Sequence, residues 1–322
     1  MAVSQKQIAE KLGVSIALVS RVLSGKAAEI GIAPATVQRV LTTAKQLGYV
    51  PSAAALSLKG KSTRTVGVVV YDFMDPFFGL VIRELQRQAL TQEYTMVLTG
   101  FLHRTPDPVI LQPLHKHAID GLIIIGTDLN AIWLETFSGL PAVRIGHAGE
   151  KEQSLRINTD DADAARQLLE RTRKKGCRAP AFIGADLSAH RLRAEAFKNV
   201  AGEMGLDLRI LEASTYTPFD AGKETAYRAL QSVNRPDLLL CATDQVAMGA
   251  LHALQEAGLN APKQIRVTGF DDIPAAEQFL PPITTIRQPI QEMTRQALLA
   301  MADMPDASSI TLSGQLMARI SS

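Results

Sequence analysis

Apolar residues recur at helical spacing at the start of the chain. Ile8, Ala9 and Leu12 share one face of a first helix, and Leu18, Val19, Val22 and Leu23 turn inward on a second. Ile16, Ala17, Ser20 and Arg21 then look outward. Ser4 followed by Gln7 gives a capping box, Gly13 can leave the first helix at positive φ, and Ser15 can cap the second. Pro34 opens a third helix, with Val37, Val40, Leu41, Ala44 and Leu47 facing inward and Gly48 at its end. By spacing alone the first pair is either two ordinary core helices or a helix-turn-helix, in which Ala9 lets the helices cross, Gly13 makes the turn and Val19 locks the second helix.

Past a short alanine-rich stretch, Pro51 to Leu58, the period changes. Val66 to Val70 is a β-branched run suited to a parallel strand buried on both faces. Further strand candidates are Tyr94–Leu98, Leu122–Ile125, Ala142–Ile145, Ala181–Ile183, Leu208–Leu211, Leu238–Leu240 and Ile265–Thr268, with helical stretches between most of them. This alternation predicts an α/β chain of doubly wound parallel sheets, and so many strands need two sheets.

Charge decides between the readings of the first helices. Residues 1–64 carry nine Lys/Arg and two acids, a net of +7, whereas the whole chain has 34 basic and 32 acidic residues. A basic head on an acidic body fits a nucleic-acid module joined to something else. The length of 322 residues and 46% apolar content suit two or three domains with real cores. No apolar run approaches 18 residues, so no membrane span is expected, and the polar first helix leads to the expectation of no secretory signal. Cys177 and Cys241 lack metal or redox spacing and fit a reducing cytoplasm. Gly60-Lys61-Ser62 resembles the end of a phosphate loop, but Ala55 stands where that loop needs glycine.

The stretch V-S-I-A-L-V-S-R-V-L-S-G, followed by L-G-Y-V-P-S-A-A-A-L-S-L-K-G, resembles the head of the lactose-repressor/galactose-repressor (LacI/GalR) family of bacterial regulators. The resemblance implies a DNA-binding head over residues 1–50 and a hinge helix and linker over 51–64. It implies a two-lobed, periplasmic-binding-protein-like body over 65–322, with an N-lobe of about 65–158 and 287–311 and a C-lobe of about 161–284 and 316–322. Crossings between lobes fall near Asn158–Asp161, Thr284–Pro289 and Thr311–Leu316; T-T-I-R-Q-P matches the family's second crossover closely. Ser15, Ile16, Ala17, Ser20 and Arg21 are the implied DNA contacts of the head, and Ser52, Ala55 and Leu58 those of the hinge, where Leu58 wedges into the minor groove. Ser52 and Leu56 depart from the family's usual asparagine and arginine, and a plain flexible linker is the alternative for this segment.

Ligands of open α/β sheets sit where strands end. Four such loops resemble the family's effector contacts: Asp72 and Phe73 after the first strand; Arg193 in R-L-R-A-E-A-F, where Ala196 replaces a glycine; Thr243 and Asp244 in C-A-T-D-Q; and Phe270 and Asp271 in V-T-G-F-D-D. Asp160 at the first crossover is a fifth candidate. Asp244 serves either as contact or as helix cap, and Arg193 either as ligand donor or as a structural ion pair. Phe77 and Phe78 read as the first turn of the next helix. The expected partners are near-palindromic double-stranded operator DNA, a small-molecule effector of the sugar or sugar-derivative class, and a second copy of the chain; no cofactor, metal or membrane is expected.

Catalysis finds little support. Ser188, His190 and Asp186 share one loop without an oriented base or oxyanion donors, and His115 and His117 lack metal spacing. The reading is a cytoplasmic, dimeric, effector-responsive repressor and not an enzyme. The rivals are a sugar-processing α/β enzyme with an accidental helix-turn-helix and a solute-binding protein.

Overall fold

The computed structural model describes residues 3–50, 56, 60–101, 108–149, 152, 154–302 and 308–322. It divides into two compact units, residues 1–63 and 64–322.

The first unit is a three-helix head. Helix α1 (Gln5–Leu12) starts from a complete capping box: the Gln7 amide donates to Ser4 Oγ and the Ser4 amide to Gln7 Oε1, 2.8 Å. It ends at Gly13, whose φ of 68° makes the turn cheap for glycine. Helix α2 (Ile16–Leu23) is capped by Ser15, which accepts from the Leu18 amide, and α3 (Pro34–Leu47) follows a short 3₁₀ turn, Ala28–Ile30. Ile8, Ala9, Val19, Val22, Ala27, Val40 and Ala44 form the core. Leu41 is not part of it: the buried stripe of α3 runs through Val40, Thr43 and Ala44, and Leu41 falls about 100° away from Val40 and stands 44% exposed. The expected inward face of α3 is corrected there.

The second unit opens with β1 (Thr65–Val70), α4 (Pro76–Thr91), β2 (Thr95–Gly100), α5 (Pro108–Lys116), β3 (Gly121–Ile125), β4 (Ala142–Ile145) and β5 (Leu155–Thr159). Helix α6 (Asp161–Lys174) leads into β6 (Pro180–Gly184), α7 (Ser188–Glu203), β7 (Arg209–Glu212), α8 (Pro218–Gln231), β8 (Leu238–Cys241), α9 (Asp244–Glu256) and β9 (Arg266–Thr268). The chain closes with α10 (Pro274–Gln278), β10 (Thr285–Arg287), α11 (Ile290–Ala302), β11 (Ile310–Leu312) and β12 (Gln315–Met317).

A six-stranded parallel sheet has the order β11-β5-β4-β3-β1-β2, and a four-stranded parallel sheet the order β7-β6-β8-β9. The continuous apolar runs fill the interior: β1, β3, β4 and β8 are buried along their whole length, whereas β2, an edge, is mostly not. The chain leaves the first sheet after β5, returns through β10 to place α11 and β11 against it, and leaves again at β12, which pairs antiparallel with β10. Short strands thus lie at each of the three expected crossings. No helix among the described residues is long and apolar enough to cross a membrane.

Candidate functional site

The head presents one face of α2. Ile16, Ala17 and Arg21 are exposed and Ser20 is half-buried, while Val19 and Val22 anchor the opposite face in the head's core. Ile16 is 48% exposed although apolar, on a helix whose other β-branched residues, Val19 and Val22, are buried. Ser15 Oγ is engaged as the helix cap, 3.1 Å from the Leu18 nitrogen. Ser52, Ala55 and Leu58 lie outside the described residues.

In the body, a cavity of about 460 Å³ opens where the strands of both sheets end. Of the residues expected there, Asp72, Arg193, Thr243 and Asp271 line it. Asp72 Oδ1 also accepts from the Met74 amide, 2.8 Å, which closes the turn after β1. Thr243 Oγ1 accepts from the Val246 amide and caps α9.

Arg193 sits at the centre of a buried network. Its Nε donates to Asp161 Oδ1, 2.9 Å, its Nη1 donates to the Ala242 carbonyl, and its guanidinium lies 3.5 Å from the Phe270 ring centre. Asp161 also faces His147 Nε2 at 3.3 Å. Burial favours the neutral Asp161, but the Arg193 charge and the His147 contact outweigh it and hold the carboxyl below its ordinary range. Asp271 has a φ of 109°, fixed by its amide donating to the Ile286 carbonyl at 2.8 Å, and its Oδ1 accepts from Gln288 Nε2 at 2.7 Å. Gln288 Oε1 accepts in turn from Thr159 Oγ1, 2.6 Å, so residues from three segments meet at one side chain. Burial pushes the Asp271 carboxyl well up, with Arg193 opposing.

Four expected contacts stand elsewhere, each for a local reason. Phe73 is 48% exposed and its ring lies against Gly100 of β2; the aromatic wall is made by Tyr71, Phe77, Phe78 and Tyr216. Asp160 is the N-cap of α6, accepting from the Ala162 and Asp163 amides, and the acid that reaches the cavity is its neighbour Asp161. Asp244 is neither cap nor wall: Thr243 caps the helix, and Asp244 is fully buried, with Oδ2 accepting from the Ile273 amide at 2.9 Å. Its carboxyl is pushed up to about 7 by burial. Phe270 is fully buried, stacked beneath Arg193.

The sequence reading missed Asp161, His147, Gln288, Asn158, Tyr216 and Gln245, all on the wall. A signal existed for two of them. Asp160 and Asp161 stand in tandem at a strand end, where the first caps and the second is freed to face inward, and Gln288 lies within the crossover T-T-I-R-Q-P.

Ser188 and His190 belong to the first turn of α7 instead of a loop, and Asp186 pairs with Arg191. His190 Nδ1 accepts from the Ala185 amide, 2.9 Å, so its one basic nitrogen is occupied and cannot serve Ser188. Among the described residues, no group of His, Cys, Asp or Glu could hold a metal ion.

The family described as "Bacterial regulatory proteins, lacI family" matches residues 5–52, and a periplasmic binding protein-like domain matches residues 169–322. The chain is 31% identical over 312 residues to the HTH-type transcriptional repressor PurR of Haemophilus influenzae, covering 91% of this chain and 88% of that repressor. It is 27% identical over 307 residues to catabolite control protein A of Priestia megaterium, covering 92% and 91% of the two chains. The fold matches a crystal structure of the lac repressor dimer bound to operator and the anti-inducer ONPF, with a TM-score of 0.83 at 23% identity over 100% of this chain and 99% of that one.

Proposed function

Because the chain belongs to the lacI family of bacterial regulatory proteins, we propose that it is a cytoplasmic, effector-responsive transcriptional repressor that works by binding and not by catalysis. Two heads of a dimer read the half-sites of a near-palindromic operator, since a twofold protein imposes its symmetry on its DNA. The lac repressor dimer is bound to operator in the structure this chain resembles, which supports that arrangement. Head contacts are assigned to Ile16, Ala17, Ser20 and Arg21 and hinge contacts to Ser52, Ala55 and Leu58.

The effector is a small polar metabolite of the sugar or sugar-derivative class, held in the cavity by Asp72, Asp161, Arg193, Thr243, Asp271 and Gln288. By linkage it must prefer one of the two DNA-binding states, and DNA must bias its affinity equally. The observation that carries this reading is the joining, in one chain, of an exposed capped helix on a basic head to a body with a polar cavity ringed by strand ends.

A gel-shift of the full chain on fragments of its own genome, with and without a panel of sugars, tests it. A discrete shifted fragment whose retention changes with a panel member is expected. Retention of every fragment with the salt dependence of non-specific binding overturns it.

A further inference from the structure

We propose that His190 is a specificity-determining residue of the effector cavity, acting as a fixed, uncharged N–H donor toward an acceptor atom of the ligand. The proposal rests on the effector reading above and adds a residue and a chemistry to it.

His190 is 5% exposed and lies one turn before Arg193 on α7, so the two side chains share a helix face and both line the cavity. The Ala185 amide donates to Nδ1 at 2.9 Å, which fixes the tautomer: the ring proton is on Nε2. Among the described residues no group hydrogen-bonds to Nε2, and the ring is otherwise held by packing. Gly184 makes room for it, since a Cβ there would stand 3.0 Å from the His190 Cβ. A buried imidazole beside Arg193 does not accept a second proton at neutral pH, because both burial and the neighbouring guanidinium oppose the charge.

The consequence is a donor that near neutral pH is neither an acceptor nor charged. The first turn of α7 adds to it: no side chain caps this helix, and Ser188 and Ala189 lie on the same wall. Arg193 completes the row, with its charge already matched by Asp161. Such a wall selects a ring oxygen, carbonyl oxygen or unprotonated aromatic nitrogen and discriminates against a ligand that offers only donors there. The same imidazole borders a second cavity of about 490 Å³, whose other walls include Arg191, Lys198 and Glu212, so the test separates the two sides of the ring.

Full-length chain and its His190→Phe, His190→Asn and Arg193→Ala variants are titrated calorimetrically with galactose, glucose, cellobiose, ribose, cytidine, adenosine and hypoxanthine. Panel members that bind the wild type bind His190→Phe about tenfold more weakly, and His190→Asn restores part of the loss. Operator retention without ligand and the unfolding midpoint are recorded for each variant, so that a loss of ligand affinity is compared among folded chains only. Long-range proton–nitrogen spectra show one neutral tautomer whose Nε2 resonance moves on adding a binding member. Unchanged affinities in His190→Phe overturn the proposal, as does a loss in His190→Phe with none in Arg193→Ala, which places the ligand in the second cavity. A chain that retains operator but binds no panel member overturns this proposal and the sugar assignment while leaving the DNA-binding reading standing. A chain that retains no operator overturns the regulator reading itself.

Discussion

The guanidinium of Arg193 stacks on Phe270 at 3.5 Å while its Nε is tied to Asp161. One charged side chain is therefore both a structural brace and part of the cavity wall. Two of its donors are used inside the protein, and under the proposed function the rest of the fork serves the effector.

That double role separates two variants. Arg193→Ala strands Asp161 in a buried site and should lower stability by about 3 kcal/mol, seen as a lower denaturant midpoint at unchanged slope. Adding Asp161→Asn should recover part of the loss, since the stranded charge is then gone. An unchanged midpoint in the single variant refutes the bracing role.

DNA reading is expected to centre on Arg21, exposed on α2 beside Ile16 and Ala17. Arg21→Ala should cost about 1–3 kcal/mol at a specific site and relax preference at one position per half-site. Selection of binding sequences from a random pool checks this. A preference identical to wild type removes Arg21 from the contact set.

A second buried pair lies behind the cavity rim. Arg144 donates through Nε and Nη2 to Glu152 at 2.7 and 2.9 Å, and through Nη1 to the Gly126 carbonyl at 2.7 Å, with both side chains almost wholly buried. It ties the turn after β3 to the loop that carries His147. Glu152→Gln should destabilise the body by about 3 kcal/mol, because Arg144 keeps its charge without a counter-ion. Replacing both by Leu and Met should cost less than the single change. Equal losses would show that packing and not charge dominates.

The amphipathic stripes of α1 and α2 and the buried runs of β1, β3 and β8 are legible because each obeys one period over its full length. Their caps at Ser4 and Ser15 follow from local chemistry alone. The cavity is only half legible. Asp72, Arg193, Thr243 and Asp271 follow strands or sit in recognisable motifs, whereas His147 reaches Asp161 only through the loop between β4 and β5. Position in sequence also misassigned neighbours: Asp160 and Asp161 differ by one residue, and helix capping takes the first. Phe270 and Asp244 are polarised inward by tertiary packing, which no local spacing encodes.

His190 is pushed down to about 3 by burial, and an unfolded histidine titrates near 6.5. Between these values the unfolded chain holds the extra proton, so this group's contribution to stability is complete above about pH 6.5 and is lost as pH falls toward 3. Asp244 and Asp271 act in the opposite sense: burial raises their carboxyls, the folded chain binds the extra protons, and their contribution is lost as pH rises through the folded values. The total slope is a difference of these terms, so wild type alone does not isolate either. Comparison with His190→Phe does. Between pH 5 and 6.5 the wild type should gain stability relative to the variant by up to about 1.4 kcal/mol per pH unit, and above pH 7 the gap should be constant. Urea unfolding at half-unit pH steps measures it. A gap that is flat from pH 5 to 8 means that His190 titrates alike in both states, and the buried, neutral imidazole is then wrong.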